Sequence, residues 1–169
     1  MSKRKVAIFV EDNYNEIEFW YPYYRMIEAG FDVIVVGSGR TEIFKSKLGT
    51  LTKGINPETV KTADFDAVII PGGYAPDKMR VSQHMLRIVR EMFNDGKVVA
   101  AICHASWVLS SAGILKGKKV TACESIKDDL VNAGAEFLNQ EVVVDGNLIT
   151  SRVPDDVPAF LREILKKLD

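Results

Sequence analysis

Cys103 is the side chain in this sequence that is best placed to act as a nucleophile. It follows a predicted buried strand, Lys97 to Ile102, which is apolar from Val98 onward, and it stands where a helix is predicted to begin. Ala101 and Ala105 flank it, and a nucleophile elbow needs small residues at those spacings because its turn is tight. The N–H groups at a helix N-terminus favour a thiolate, so we expect the pKa of Cys103 to lie below its ordinary value. A free cysteine is also commonly a small buried hydrophobe, and both interpretations stay open.

Two features near Cys103 suit nucleophilic chemistry. His104 is one of two histidines, and a Cys-His pair can supply nucleophile and base. Adjacent residues of a helix do not face each other, so the pair can interact only if the backbone at Cys103 departs from helical values. Gly72-Gly73 closes another apolar run, Ala67 to Ile70, and its N–H groups could stabilise an oxyanion near the sulfur. A plain turn is the commoner meaning of Gly-Gly.

Four carboxylates follow the first apolar run: Glu11, Asp12, Glu16 and Glu18. Most are expected to be solvated or to favour the N-terminus of the next helix. One of them could share a proton with Cys103 or orient His104, and the spacing alone does not say which. The sequence has no His-x-x-x-His or Cys-x-x-Cys pattern, so we predict neither a metal site nor a cofactor.

The elements that must position these residues alternate between buried strands and helices. Strands are predicted at 6–10, 33–36, 67–70 and 97–102, at a short edge segment 50–52, near Val120, and as a hairpin of 141–145 with 148–150. Helices are predicted at about 16–29, 83–94, 104–111, 126–133 and 158–168. This alternation predicts an α/β fold, a doubly wound parallel sheet with helices on both faces. Ligands of such folds bind beyond the carboxyl ends of the strands.

Composition excludes several classes of protein. The 169 residues suit a single domain, 1–169, and 47% hydrophobic with 27% charged residues is typical of globular proteins. A net charge of −1 lacks the basic excess of a non-specific nucleic-acid binder. No apolar run approaches the length of a membrane span, and Val6 to Val10 is too short for a signal-peptide core. We therefore expect a soluble, cytoplasmic protein.

Five segments spread over the chain carry a family resemblance. They are Val-Ile-Ile-Pro-Gly-Gly-Tyr-Ala-Pro-Asp (68–77), Ala-Ala-Ile-Cys-His-Ala (100–105), Ile-Lys-Asp-Asp (126–129), Glu-Val-Val-Val-Asp-Gly-Asn (141–147) and Thr-Ser-Arg-Val-Pro-Asp-Asp (150–156). Through them the chain resembles the PfpI family of intracellular cysteine hydrolases. The larger superfamily includes class I glutamine amidotransferases, glyoxalases and deglycases.

The resemblance implies a flavodoxin-like sandwich and a set of site residues. It implies Cys103 on a strained elbow, His104 as the catalytic histidine, and Glu18 as the glutamate whose carboxyl group hydrogen-bonds the sulfur. The backbone N–H groups of Gly73 and His104 would form the oxyanion hole. Asp77 of a neighbouring subunit would orient His104, which places the site at a subunit interface of a homo-oligomer, a dimer or a hexamer.

The chain departs from the family pattern at three places. Asp77 stands where members often have glutamate, and Cys-His-Ala-Ser (103–106) replaces Cys-His-Gly-Pro. Cys123-Glu124 occupies the place of a Tyr-Pro pair that often precedes Ile-Lys-Asp-Asp. Cys123 is therefore expected near Cys103, either altering the pocket or acting as a second thiol.

Three functions follow as hypotheses. The first is a PfpI-type, peptidase-like cysteine hydrolase in which Cys103 attacks the carbonyl of a small peptide. The second is a cofactor-free glyoxalase or deglycase that acts on a dicarbonyl such as methylglyoxal, or on its adducts. The third is not enzymatic: a stress-response protein that senses oxidants through Cys103 or acts as a chaperone.

Overall fold

Strands and helices alternate along residues 4–169, the part of the chain that this computed structural model describes; the first three residues of the predicted domain lie outside it. The strands are β1 (Lys5–Phe9), β2 (Asp32–Val36), β3 (Ile43–Lys45), β4 (Leu51–Lys53), β5 (Ala67–Ile70), β6 (Val98–Ile102), β7 (Lys119–Val120), β8 (Glu136–Phe137), β9 (Val142–Asp145) and β10 (Leu148–Ser151). Six of them form one sheet in the order β2-β1-β5-β6-β10-β9.

The central sheet is parallel except at one edge. Strands β2, β1, β5, β6 and β10 run parallel, and β9 pairs antiparallel with β10 across the hairpin turn at Gly146. Every residue of β5, β6 and β10 is buried. Strands covered on both faces need apolar side chains at every position, which explains the continuous apolar runs. The flavodoxin-like α/β prediction is confirmed, with an antiparallel edge strand added.

Helices cover both faces of this sheet. They are α1 (Glu16–Glu28), α2 (Ala75–Met79), α3 (Gln83–Asn94), α4 (Ser106–Ala112), α5 (Lys127–Asn132) and α6 (Val157–Leu168). Helices α1 and α6 contact each other and the sheet, and α3 and α4 form a second such pair. Within residues 4–169 no helix is both long and apolar enough to cross a membrane.

Several small elements differ from the sequence prediction. The segment expected as an edge strand of the main sheet is β4, and it pairs instead with β3 in a separate two-stranded sheet. Neither β3 nor α2 was expected from the sequence, because three or five residues are too few to show a periodicity. Helix α2 lies directly after Gly72-Gly73 and carries Asp77.

The strand order brings three loops together at one edge of the sheet. The order of the parallel strands reverses between β1 and β5, so the carboxyl ends of β1, β5 and β6 lie side by side. An isolated bridge between Tyr14 and Gly73 joins the loop after β1 to the loop after β5. Cys103 directly follows β6, at the same edge. This is the position at which ligands bind in folds of this class.

Candidate active site

Cys103 occupies a strained backbone position. Its φ is +61°, and among residues 4–169 only Asn13 shares a positive φ without being glycine. A short 3-10 turn, Cys103–Ala105, then leads into α4. Ala101 and Ala105 are fully buried, so the tight turn has no room for larger side chains at either place. A residue held outside its favoured backbone region indicates that the surrounding structure imposes the conformation, and such residues cluster at active sites.

This backbone conformation lets two neighbouring residues face each other. The Cys103 sulfur lies 3.3 Å from Nδ1 of His104, within hydrogen-bonding distance. The condition set by the sequence, a non-helical backbone at Cys103, is therefore met. The imidazole also lies against two aromatic rings, with ring centroids 5.2 Å away for Trp107 and 6.4 Å away for Tyr74.

Glu18 is buried completely beneath the site. The side chain of Asn15 caps α1 by accepting the N–H groups of Ile17 and Glu18, which fixes the first turn of the helix. Glu18 Oε2 accepts the N–H of Gly72 at 2.7 Å, while Oε1 has no partner among the described residues. Burial raises the pKa of Glu18 to about 7, although the Gly72 N–H and the Cys103 side chain favour its charged form. Glu18 can therefore give or take a proton near neutral pH.

The loop after β5 requires glycine at both positions for steric reasons. A Cβ on Gly72 would lie 2.5 Å from Glu18 Oε2 and 2.8 Å from Cys103 Cβ. Gly73 has a φ of +78°, and a Cβ there would lie 2.5 Å from the carbonyl oxygen of Asn13. The lack of a side chain at both positions lets the backbone of this loop lie against Cys103 and against the loop after β1. The N–H of Gly72 is used by Glu18, which leaves the Gly73 N–H as the donor this loop can offer to a substrate oxygen.

A second thiol lies beside the first. The sulfur of Cys123 is 3.3 Å from the same His104 Nδ1 that contacts Cys103, and Ser125 Oγ is 3.3 Å from His104 Nε2. The two sulfurs and Nδ1 all lie within 4.8 Å of one another. The departure of its segment from the family pattern predicted Cys123 near Cys103, either altering the pocket or acting as a second thiol, and the structure places it there. Ser125 was missed, because no spacing in the sequence connects it to His104.

The same three side chains are a ligand set for a metal ion. Two thiolates and an imidazole suit zinc or another soft cation. No cysteine or histidine spacing signalled this group, because Cys103 and His104 are adjacent and Cys123 arrives from a different loop.

The pKa values of the two neighbouring thiols, Cys103 and Cys123, are shifted in opposite directions. The hydrogen bond with Cys103 and those with His104 and Ser125 lower the pKa of Cys123 to about 4, against the opposing effect of burial. The pKa of Cys103 is raised, first by its contact with Cys123, then by burial and by the Glu18 carboxylate, while the His104 backbone N–H lowers it. Cys123 therefore opposes the lowering of the Cys103 pKa that the helix N-terminus favours. The second thiol outweighs the few N–H groups of a short helix, and it also raises the pKa of His104.

The other carboxylates of the first loop have structural roles. Glu11 is fully buried and accepts hydrogen bonds from Ser38 and Arg40, which hold its pKa below the usual range despite burial. Asp12 accepts the backbone N–H of Lys45 at 3.0 Å, and Glu16 accepts that of Leu48 at 2.6 Å. Of the four candidates, Glu18 alone contacts the environment of Cys103.

Asp77 does not reach His104 within its own chain. It is exposed on α2, and its N–H is bonded to the carbonyl of Tyr74. The nitrogen Nε2 of His104, which a carboxylate would orient, contacts Ser125 instead. A role for Asp77 in a neighbouring subunit stays a prediction.

Comparison with known proteins agrees with this geometry. Residues 4–167 match the DJ-1/PfpI family. The chain belongs to this family. It is 43% identical to protein/nucleic acid deglycase 2 of Escherichia coli and 40% identical to the putative cysteine protease YraA of Bacillus subtilis, with 99% of each chain covered in both cases. The resemblance to PfpI proteins predicted from the sequence is confirmed.

A solved structure shows the same fold within a longer chain. A protein of Anabaena variabilis with DJ-1/ThiJ/PfpI-like and ferritin-like domains matches with a TM-score of 0.95 at 44% identity. The match covers 98% of this chain and 48% of that one, so this chain spans about half the length of that protein.

Glu18 makes the stability of the folded protein depend on pH. Its pKa of about 7 in the fold exceeds its ordinary value of 4.5, so the native state keeps a proton that the unfolded chain loses. Stability from this group is complete below pH 4.5 and is lost as the pH rises towards 7. We expect the free energy of unfolding to fall by on the order of 3 kcal/mol over that window, relative to Glu18→Gln. Urea titrations at several pH values measure it, and parallel curves for the two proteins would contradict it.

Proposed function

We propose that this protein is a cysteine-dependent hydrolase that acts on small carbonyl compounds, of the deglycase or glyoxalase type. The observation that carries the proposal is the position of Cys103 between two proton-transfer groups, His104 at 3.3 Å and the buried Glu18. A nucleophile needs one group to take its proton, and His104 suffices for that. A second buried carboxyl with a pKa near 7 suits a reaction that also moves a proton between carbon atoms.

The first step joins the substrate to the sulfur. Cys103 passes its proton towards the His104–Cys123 pair and its sulfur adds to an aldehyde carbon. The carbonyl oxygen gains negative charge and then a proton, which gives a hemithioacetal. The Gly73 and His104 N–H groups would stabilise this oxygen. When the substrate is an adduct of the dicarbonyl with an amine or a thiol, the Cys103 sulfur displaces that amine or thiol from the former aldehyde carbon.

The later steps release the product. Glu18 takes the proton from the former aldehyde carbon and returns one to the neighbouring carbonyl carbon. The hydroxyl on the former aldehyde carbon gives up its proton and the neighbouring carbonyl oxygen gains one, so the hemithioacetal becomes a thioester of a 2-hydroxy acid. Water then hydrolyses the thioester and frees Cys103. With methylglyoxal the product is lactate, which forms from one molecule of the dicarbonyl and one molecule of water. Neither a metal nor an external cofactor takes part in this scheme.

The substrate class is tested by lactate formation. Wild type and Cys103→Ala are compared on free methylglyoxal, on its preformed adducts with N-acetyllysine and N-acetylcysteine, and on a fluorogenic peptide. If Cys103-dependent lactate formation increases with the concentration of free methylglyoxal, the enzyme is a glyoxalase. A rate that follows the adduct makes it a deglycase. No Cys103-dependent turnover of any dicarbonyl would overturn the proposal.

Peptide hydrolysis is the second candidate. It is favoured by the relative named a putative cysteine protease and by the Cys103–His104 contact, which is sufficient for acyl transfer. In this reaction Glu18 would have no carbon-bound proton to move. Cleavage of the fluorogenic peptide by wild type, with no lactate from dicarbonyls, would favour this activity over the first.

We also propose that the protein works as a homo-oligomer, a dimer or a hexamer, with Asp77 completing the site of a neighbouring subunit. The exposed aspartate on α2 and the absence of a carboxylate on His104 Nε2 in residues 4–169 support this. A groove of about 760 Å³ along the outer face of α1, lined by Ile17, Tyr21 and Tyr24 among others, offers an apolar contact surface. Each subunit would be one copy of the 1–169 domain. We also propose a cytoplasmic location, because both cysteines are free and the cytoplasm keeps thiols reduced.

Complementation between two impaired variants tests the shared site. We expect Asp77→Asn to lower turnover at least ~10-fold, because His104 loses the group that orients it. In a mixture with Cys103→Ala, a hybrid dimer contains one site with an intact Cys103 facing an intact Asp77. The mixture should therefore be more active than the sum of its two components. Asp77→Asn with unchanged turnover, or a mixture no more active than its parts, would place Asp77 outside the site.

A further inference from the structure

Common hydrolase chemistry needs one thiol, and the second thiol beside Cys103 points to a second reaction. Cys103 is partly exposed at the mouth of the site, whereas Cys123 is only 9% exposed. Their sulfurs lie within 4.8 Å of each other, and neither is bonded to another cysteine. A disulfide joins two sulfurs at about 2.05 Å, so these two must approach by less than 3 Å to form one.

We propose that Cys103 and Cys123 form a reversible disulfide when a hydroperoxide enters the site, with Cys103 as the sulfur that is oxidised first and Cys123 as the sulfur that resolves it. This goes beyond oxidation of Cys103 alone, because it assigns a specific partner and a reversible end state.

The reaction balances in two steps. Cys103 passes its proton to the His104–Cys123 pair as its sulfur attacks the peroxide, which breaks the O–O bond and gives Cys103 a sulfenic acid. The leaving oxygen takes that proton and departs as the alcohol or water. The Cys123 sulfur then attacks the Cys103 sulfur, forms the S–S bond and expels the hydroxyl, which leaves as water with the proton that the His104–Cys123 pair holds. Sulfur is oxidised and peroxide is reduced, and a dithiol reductant restores both thiols by exchange.

The surroundings of the two sulfurs suit these roles. Access decides which sulfur meets the oxidant, and Cys103 is the more exposed of the two. His104 Nδ1 lies 3.3 Å from each sulfur, so one imidazole can carry the proton from the resolving thiol to the departing hydroxyl. Ser125 Oγ contacts both Cys123 and His104 and holds them in this arrangement.

The consequence is protection of the nucleophile. A sulfenic acid without a nearby thiol proceeds to sulfinic acid, which most cells cannot reverse. With Cys123 alongside, oxidation stops at the disulfide. The hydrolase is then inactive until a dithiol reduces it, and Cys103 is preserved.

Mass spectrometry tests the proposal directly on the wild-type protein. Trypsin cuts at Lys116 and Lys119, so the two cysteines fall in separate peptides, 98–116 and 120–127. After treatment with hydrogen peroxide in the presence of a chelator, and quenching with iodoacetamide, we expect a monomer lighter by about 2 Da. The two peptides should be joined, and dithiothreitol should separate them and restore both thiols.

The matched variants are Cys123→Ala and Cys123→Ser. Under the same treatment we expect each to gain about 32 Da at Cys103, a change that dithiothreitol does not reverse. The fraction of Cys103 lost irreversibly should be at least ~10-fold larger than in wild type. Equal sulfinic acid formation in wild type and variants, or no joined peptide in wild type, would overturn the proposal. The readout is the state of the sulfur, so it does not depend on which carbonyl substrate the enzyme uses.

Discussion

Replacing Cys103 with alanine is expected to lower kcat/KM for every carbonyl substrate by at least ~10³-fold, because no other group in the site can form the covalent intermediate. Cys123 is the neighbouring thiol, but it is buried and does not occupy the elbow. Alanine fits the space of Cys103 and removes the sulfur alone. Steady-state rates with a dicarbonyl and with a peptide measure the effect.

The control for this variant is structural. Cys103→Ala should unfold with the same cooperativity as wild type, because the change removes one partly exposed atom and adds none to the elbow. An intact-mass measurement during turnover should also detect a covalent adduct on wild type and none on the variant. Turnover by Cys103→Ala above a tenth of the wild-type rate would remove Cys103 from the role of nucleophile.

Gly73→Ala is expected to be the most damaging single methyl group that can be added to the site. The new Cβ would lie 2.5 Å from the carbonyl oxygen of Asn13 and 2.7 Å from the backbone nitrogen of Asn15. Both are backbone atoms, so the loops after β1 and β5 must separate. We expect a loss of about 3 kcal/mol in the free energy of unfolding and a ~10²-fold fall in turnover, since the N–H of residue 73 moves away from the substrate oxygen.

Gly96→Ala is the matched control for the backbone conformation. Gly96 has a φ of +73°, close to the +78° of Gly73, but nothing lies within 4 Å of the position of its Cβ. An alanine there pays only for the left-handed conformation, on the order of 1 kcal/mol, and turnover should not change. Equal losses of stability for the two variants would mean that the crowding at Gly73 relaxes without effect.

The sequence predicts the parts of the site that depend on strands and on local residue type. Continuous apolar runs identify the central strands, so the carboxyl end of β6 and the elbow at Cys103 follow from the pattern alone. Helix α1 also follows, because its length exceeds three turns. Helix α2 does not follow, since five residues give no periodicity, and with it the position of Asp77 is missed.

Electrostatics is the part that the sequence predicts least well. The direction of the Cys103 pKa depends on Cys123 and on the buried Glu18, which reach the site from other loops. A helix N-terminus is visible in a sequence, whereas the distance between two sulfurs is not. The same reason explains why Ser125 was missed: its contact with His104 exists only when the loop before α5 packs against the elbow.

The strained backbone at Cys103 has a consequence for how the protein is made. Such a conformation persists only while its surroundings hold it in place. Strand β6, which ends at the elbow, lies between β5 and β10, and β10 comes late in the chain. During synthesis the ribosome releases β6 well before β10, so the elbow has a neighbour on one side only. We therefore expect Cys103 to be an ordinary thiol in the nascent chain, and to gain its strained backbone only after β10, which ends at Ser151, has been synthesised.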